Sequence, residues 1–194
     1  MKSNDFLLIV DNALSHTVCD ELIELFENSR HTHRYEKNGY PNWTHLFLLG
    51  NHQDIEDKLY NTFLRTALKY RQYVGEYAKY FNLNNFVFEG SNIKKYVGGT
   101  DDQYKRHADA SSISACRRFL AFIYYLNDGF EGGETNFYPN SSVTPKKGSA
   151  LVFPPFWTFP HEGTPVIKGT KYIMSNYCLW TPDKDLDNLT QRIQ

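Results

Sequence analysis

The stretch FLAFIYYLNDG, residues 119–129, decides how this chain is read. It is a short apolar run rich in aromatic residues, and Asn127, Asp128 and Gly129 end it with a turn signal. Read as a strand, it puts Phe119, Ala121, Ile123 and Tyr125 on one face, while Tyr124 points the other way, into packing or solvent. Similar runs lie on both sides of it, at residues 86–88, 92–97, 135–138, 149–153 and 172–180. Gly98-Gly99, Gly132-Gly133, Pro145-Lys146-Lys147-Gly148 and the segment from Gly163 to Gly169 separate them. Many short strands at this spacing predict a sandwich or jelly roll.

The chain before residue 86 has a different texture. Residues 6–10 form a short apolar strand, after which Ser15 or Thr17 can cap a helix carrying Val18, Leu22, Leu25 and Phe26 on one face. Residues 31–45, polar and aromatic with Gly39 and Pro41, read as a long loop. From Gln53 to Tyr80 a longer amphipathic stripe runs through Ile55, Leu59, Phe63, Ala67, Tyr70, Val74 and Tyr77. Asn82, Asn84 and Asn85 stop it. The expected fold class is α+β, mainly β, a jelly-roll core with N-terminal helices packed on one sheet. One domain is expected over 1–194: a helical support region at 1–85, the core at 86–180 and a C-terminal tail at 181–194.

Composition narrows the function. Aromatic residues make up 16% of the chain, which favours a packed globule over disorder. A net charge of −1 supplies no field for nucleic acid or anionic membrane, so neither is expected as a partner. No apolar stretch approaches the roughly 20 residues of a membrane span, and residues 6–10 are too short for a signal segment. Cys19, Cys116 and Cys178 are odd in number and lack CxxC spacing, so reduced thiols and a cytoplasmic location are expected. Oligomeric state is left open.

The chemistry concentrates in His107-Ala108-Asp109, His161 and Lys171. Two imidazoles and one carboxylate are the set that holds a non-heme Fe(II) on one face and leaves the other open. In extended backbone, residues two apart project to the same side, so His107 and Asp109 can reach one ion together. His161 reads as a loop residue between two strands, and Lys171 opens the last long strand. A metal triad followed by a fixed cation suggests a co-substrate that carries a carboxylate. His16, His31, His33, His45 and His52 are read as ordinary surface or core histidines.

Tyr96, His107-Ala108-Asp109, Ile123-Tyr124-Tyr125-Leu126-Asn127, Gly132-Gly133-Glu134-Thr135, Pro145-Lys146-Lys147-Gly148 and His161 through Gly169-Thr170-Lys171 stand in order. Together they resemble the 2-oxoglutarate/iron(II) dioxygenases, in particular the prolyl 4-hydroxylase-like branch. Val10-Asp11-Asn12-Ala13-Leu14-Ser15, with Cys19 and Leu22-Ile23, is similar to the helix that opens that family's domain. The resemblance implies a double-stranded β-helix that uses Fe(II), 2-oxoglutarate and O2, with ascorbate as reductant. Within it, His107, Asp109 and His161 bind the metal, and Lys171 grips the far carboxylate of 2-oxoglutarate. Tyr125 is the second donor there. Tyr96 resembles the tyrosine lining the co-substrate pocket, with a core tyrosine as the alternative. The resemblance further implies hydroxylation of an unactivated C–H bond with release of succinate and CO2. Asp109 itself argues for hydroxylation, since halogenating relatives carry a small residue there.

The substrate is expected to be a peptide, a protein or a free amino acid such as proline. Arg118 resembles an arginine near the peptide channel of prolyl hydroxylases, although the doublet Arg117-Arg118 leaves open which one faces the site and a solvated edge residue is the alternative. Tyr35, Tyr40 and Trp43, with residues 98–106, are candidate lids, Gly98 and Gly99 being hinge-like and Tyr104 and Arg106 facing the entrance. The apolar stretch at 153–160, with Trp157 at its centre, reads equally as a substrate wall or as a wedge that fixes His161. Competing readings are a catalytically silent jelly-roll binding module and a cupin-type metal dioxygenase that does not use 2-oxoglutarate. A nucleic-acid demethylase of the same superfamily is disfavoured by the balanced charge.

Overall fold

The computed structural model describes residues 6–37, 40–80, 83 and 85–181. It opens with β1 (Leu8–Val10), followed by α1 (His16–Asn28). Ser15 is the N-cap of α1, its Oγ accepting from the Val18 N–H at 3.2 Å. Next come β2 (His33–Lys37), β3 (Tyr40–Phe47) and α2 (Gln53–Tyr73). The sheet continues with β4 (Phe86–Phe88), β5 (Asn92–Val97), β6 (Tyr104–His107), β7 (Arg118–Tyr125) and β8 (Glu131–Gly132). The last six are β9 (Thr135–Phe137), β10 (Ser141–Val143), β11 (Ala150–Phe153), β12 (His161–Gly163), β13 (Val166–Lys168) and β14 (Thr170–Trp180).

A large sheet runs in the order β1-β11-β7-β14-β5-β3-β2, with β4 pairing to the end of β14. A smaller sheet runs β10-β9-β12-β6, and β13 pairs with β8. Every pairing is antiparallel. This is the expected jelly roll, with the helices against one face of the larger sheet.

Alternation along β7 divides the core in two. Leu120, Phe122 and Tyr124 join Leu22, Phe26, Leu59 and Phe63 on the helix side. Ala121 and Tyr125 join Leu151, Phe153, Phe137 and Ile173 between the sheets. Each fully buried Leu or Phe contributes about 1.5–3 kcal/mol, so a register slip in β7 would expose both sets. Tyr124 thus resolves into packing, fully buried 5.6 Å from the Phe63 ring. Phe119 departs from the expected alternation. The β7–β14 ladder shifts register between Cys178 and Leu179, and Phe119 stacks on Trp180 at 3.9 Å on the helix side.

Three further expectations are corrected. Residues 31–45 are not a loop: β2 and β3 form a hairpin that extends the large sheet, held by pairing to β5. Their aromatic and β-branched residues have an edge to join, which local sequence does not announce. The second helix does not run to Tyr80. It ends at Tyr73 with Val74 as its C-cap, because Gly75 takes a left-handed φ of 53°, and a 3-10 turn covers Gly75–Tyr80. His161 begins a strand and does not lie in a loop. Of the stop signals, Asn82 and Asn84 lie outside the described residues, as does the tail from residue 182. No described helix is long and apolar enough to cross a membrane.

Candidate active site

The smaller sheet brings the triad together. His107, the last residue of β6, is the register partner of His161, the first of β12. Asp109 follows in the turn after β6, where the Ala110 N–H donates to the Pro155 carbonyl at 2.9 Å. One ligand atom from each of His107, Asp109 and His161 lies within 4.8 Å of the others. Nε2 of His107 is 3.2 Å from Asp109 Oδ1, and Nε2 of His161 is 3.6 Å from Oδ2. On each ring the other nitrogen is occupied: Nδ1 of His107 faces the Lys105 carbonyl at 2.8 Å, and Nδ1 of His161 the Phe159 carbonyl at 3.2 Å. With Nδ1–H donating to the backbone, both Nε2 lone pairs point to the common centre, the arrangement metal-binding histidines use.

Packing and charge hold this geometry. Tyr104 stacks on His107 at 3.5 Å, while Phe137 and Phe153 enclose His161 at 5.4 and 4.7 Å. Burial lowers the pKa of His161 to about 4, so it is neutral and able to ligate at physiological pH. Burial would raise the Asp109 carboxyl, but His161, His107 and Lys94 outweigh it and hold it well below the usual range. Tyr177, on β14, donates its hydroxyl to Asp109 Oδ1 at 3.1 Å.

Lys171 enters the same cavity from β14, opposite Tyr96 on β5. It is 4% exposed, and its ammonium donates to the neutral Gly133 carbonyl at 2.6 Å. Gly132 and Gly133 carry φ of 76° and 73°, and a Cβ on Gly132 would sit 2.5 Å from the Pro165 carbonyl oxygen. Only glycine lets this turn close and present its carbonyl to the lysine. Burial lowers the Lys171 pKa to about 8. A buried cation whose acceptor among the described residues is a neutral carbonyl is costly, and a carboxylate arriving in the cavity would relieve that cost. Tyr96 is buried with its ring 5.7 Å from the ammonium. The Tyr125 hydroxyl meets Thr135 Oγ1 at 2.8 Å, and Thr135 lines the cavity that Lys171 enters.

The donor set suits Fe(II), and Lys171 with Thr135 beside the open face suits a dicarboxylate.

The remaining predicted residues sort differently. Arg118, and not Arg117, faces the site: its guanidinium binds Glu89 at 2.6 and 2.7 Å, donates to the Asp109 carbonyl at 3.2 Å, and lies 4.0 Å over the Tyr177 ring. The solvated-edge alternative is thus overturned. Tyr104 borders the cavity, as does Arg106 its outer rim, where it pairs with Glu162 at 3.2 Å. Trp157 is brought to neither. It is 80% exposed, because the turn closed by the Phe159 N–H to the Phe156 carbonyl sends Phe159 inward against Phe6 and leaves Trp157 out.

The candidate lid at 98–106 is pinned. Asp102 is buried, accepts from the Val97 N–H at 2.9 Å and pairs with Arg34 at 2.6 Å. A Cβ on Gly98 would lie 2.8 Å from the Gly169 carbonyl oxygen, so that glycine serves close packing and not a hinge. Tyr35 and Trp43 stack at 4.2 Å and continue through Tyr104 at 4.5 Å, making an aromatic wall at the entrance. The Tyr40 side chain lies outside what is described.

Sequence reading missed Lys94, Thr135, Tyr177 and Glu89. The signal for two of them was present: stepping by two from Tyr96 reaches Lys94, and from Lys171 reaches Ile173, Ser175 and Tyr177.

Residues 91–179 match the family model of the 2OG-Fe(II) oxygenase superfamily. Human procollagen-lysine,2-oxoglutarate 5-dioxygenase 2 is 28% identical over 174 residues, covering 84% of this chain and 22% of that protein. The probable prolyl 4-hydroxylase 9 of Arabidopsis thaliana is 30% identical over 127 residues, covering 50% of this chain and 42% of that one. This chain therefore spans about a fifth of the length of the curated lysyl relatives it matches. The viral collagen prolyl hydroxylase of Paramecium Bursaria Chlorella virus-1, solved with 2OG, superposes with a TM-score of 0.67 at 19% identity, covering 91% of this chain and 97% of that one. The match over residues 91–179, the jelly roll and the metal-ready triad agree, and the chain resembles the 2OG-Fe(II) oxygenase superfamily over its β core.

Proposed function

We propose that this chain is an Fe(II)- and 2-oxoglutarate-dependent dioxygenase that hydroxylates an unactivated C–H bond of an amino acid, free or within a peptide. The observation that carries the reading is convergence: three metal-ligand residues and a buried lysine with no ion-paired carboxylate among the described residues open into one cavity. Bound there, iron with 2-oxoglutarate and dioxygen supplies the oxidation, and 2-oxoglutarate leaves as succinate and CO2.

The chain's own residues have separable tasks. Nδ1–H groups tied to carbonyls leave the Nε2 lone pairs of His107 and His161 facing the common centre. Asp109 supplies the anionic ligand, and Tyr177 orients it. Lys171 receives the far carboxylate of the co-substrate, with Thr135 beside it and Tyr125 behind. Ala121, Ile173 and Phe137 make apolar walls that exclude water from this end of the barrel. Tyr104 and Trp43 form the entrance. The lysyl and prolyl hydroxylases among the relatives support an amino-acid side chain as the target.

The test is anaerobic reconstitution with Fe(II), with ascorbate as reductant, then succinate release from 2-oxoglutarate in air. Slow release without substrate is expected, and none in His107→Ala. Iron-loaded protein that neither binds nor decarboxylates 2-oxoglutarate would defeat the proposal and favour a silent binding module.

A further inference from the structure

Lys94 is a second buried ammonium in the site, on the inward face of β5 two residues from Tyr96, and it is 7% exposed. It borders both the triad's cavity and an adjoining, more open one of about 430 Å³. Its Nζ lies between the Trp43 ring at 5.4 Å and the Tyr104 ring at 5.3 Å. Among the described residues no carboxylate reaches it within ion-pair distance. The nearby acids are committed: Glu89 binds Arg118 through two hydrogen bonds, and Asp102 binds Arg34.

With the proposed ion and co-substrate in place, Fe(II) and Lys171 together balance Asp109 and the two carboxylates of 2-oxoglutarate. Glu89 and Arg118 cancel each other. Burial and the nearby Lys94 lower the pKa of His45, on the adjoining cavity. Glu134, which attracts Lys171 through space, is held by the Thr164 hydroxyl at 2.8 Å, and Lys94 is left with no ion-paired carboxylate among the described residues. Burial already draws its pKa down to about 8, the mark of an ammonium held at a cost. Two ring faces offset part of that cost, and an anion offsets more.

We infer that Lys94 selects the primary substrate by receiving a carboxylate, so that the substrate is a carboxylate-bearing amino acid or acidic peptide entering through the adjoining cavity. The inference rests on the dioxygenase reading above and goes beyond it. Arg118, tied to Glu89, then frames the cavity and does not compete for the same anion. The carboxylate has two sources, the α-carboxylate of a free amino acid or an Asp, Glu or terminal carboxylate of a peptide.

The full chain, loaded anaerobically with Fe(II) and 2-oxoglutarate, is offered matched pairs, and equilibrium binding is read by ligand-observed NMR. One arm pairs free proline and lysine with their carboxamides. The other pairs short peptides containing Asp or Glu with their Asn or Gln counterparts. The expected result is binding at least about tenfold tighter for the acid of a pair, equivalent to one charge-assisted contact. In Lys94→Met that ratio collapses towards one, and Lys94→Arg retains part of it. The arm that shows the preference identifies the source. Equal binding of acid and amide by the unmodified chain overturns the inference without any variant. So does an unchanged ratio in Lys94→Met, or a loss of 2-oxoglutarate affinity there as large as in Lys171→Met, which would make Lys94 a co-substrate anchor. Failure of the unmodified chain to take up 2-oxoglutarate at the loading step strikes the parent reading and is seen before any substrate is added.

Discussion

The Tyr177 hydroxyl donates to Asp109 Oδ1 at 3.1 Å, across 68 positions of sequence, and so orients the only anionic group of the triad. Tyr177→Phe removes that bond and little else. Support of this kind is worth roughly ten- to a hundredfold in metal affinity. Titration with Fe(II) or Co(II) under anaerobic conditions should show a loss in that range, with the fold intact by circular dichroism. Unchanged metal affinity would mean that Asp109 is held by its backbone alone.

Lys171→Ala tests the co-substrate anchor. A charge-assisted contact of about 1.5–3 kcal/mol corresponds to roughly ten- to a hundredfold weaker 2-oxoglutarate binding. Metal titration should still give one site. Calorimetry showing wild-type 2-oxoglutarate affinity would place the anchor elsewhere.

The same lysine predicts a pH dependence. Burial lowers the free Lys171 pKa to about 8, whereas a bound carboxylate favours the ammonium and raises it. Binding therefore takes up a proton above pH 8, and affinity falls as pH rises, by up to about tenfold per unit. Below that pH the lysine is already charged and contributes no slope. Calorimetry in buffers of different ionisation enthalpy should detect the uptake, and Lys171→Met should abolish it. A flat profile through pH 9 contradicts the assignment.

Glu56 joins α2 to the large sheet. Its buried carboxylate accepts from the Ser91 N–H at 3.0 Å and the Ser91 hydroxyl at 3.1 Å, and Asn176 Nδ2 approaches at 3.5 Å. Glu56→Ala leaves the Ser91 donors buried without an acceptor, a loss of about 2–3 kcal/mol. Urea denaturation should show it as a lower midpoint with unchanged slope, and Glu56→Gln should recover part. A loss under about 0.5 kcal/mol would mean that water replaces the carboxylate.

Local patterns were readable where the period was clean. The alternation of β7 separated Tyr124 from Tyr125, and the stripe from Ile55 to Tyr70 specified the buried face of α2. The pattern became unreliable where partners altered it. Phe119 follows a register shift on the neighbouring strand, and the hairpin of β2 and β3 reads as a loop until β5 supplies its edge. The stretch around Trp157 read equally as a substrate wall or as a wedge, because an apolar run does not reveal which way its turn faces.

The sequence by itself determined the residue types of the site: His107 and Asp109 two apart, a later histidine, and Lys171 placed to meet a carboxylate. Side-chain alternation is a local property of extended backbone, so it is written in the order of residues. Which residues meet across strands is not local. The pairing of His107 with His161, the Arg118–Glu89 bond and the isolation of Lys94 depend on which strands become neighbours and in what register. Those relationships were decided only when the two faces of the large sheet were buried together.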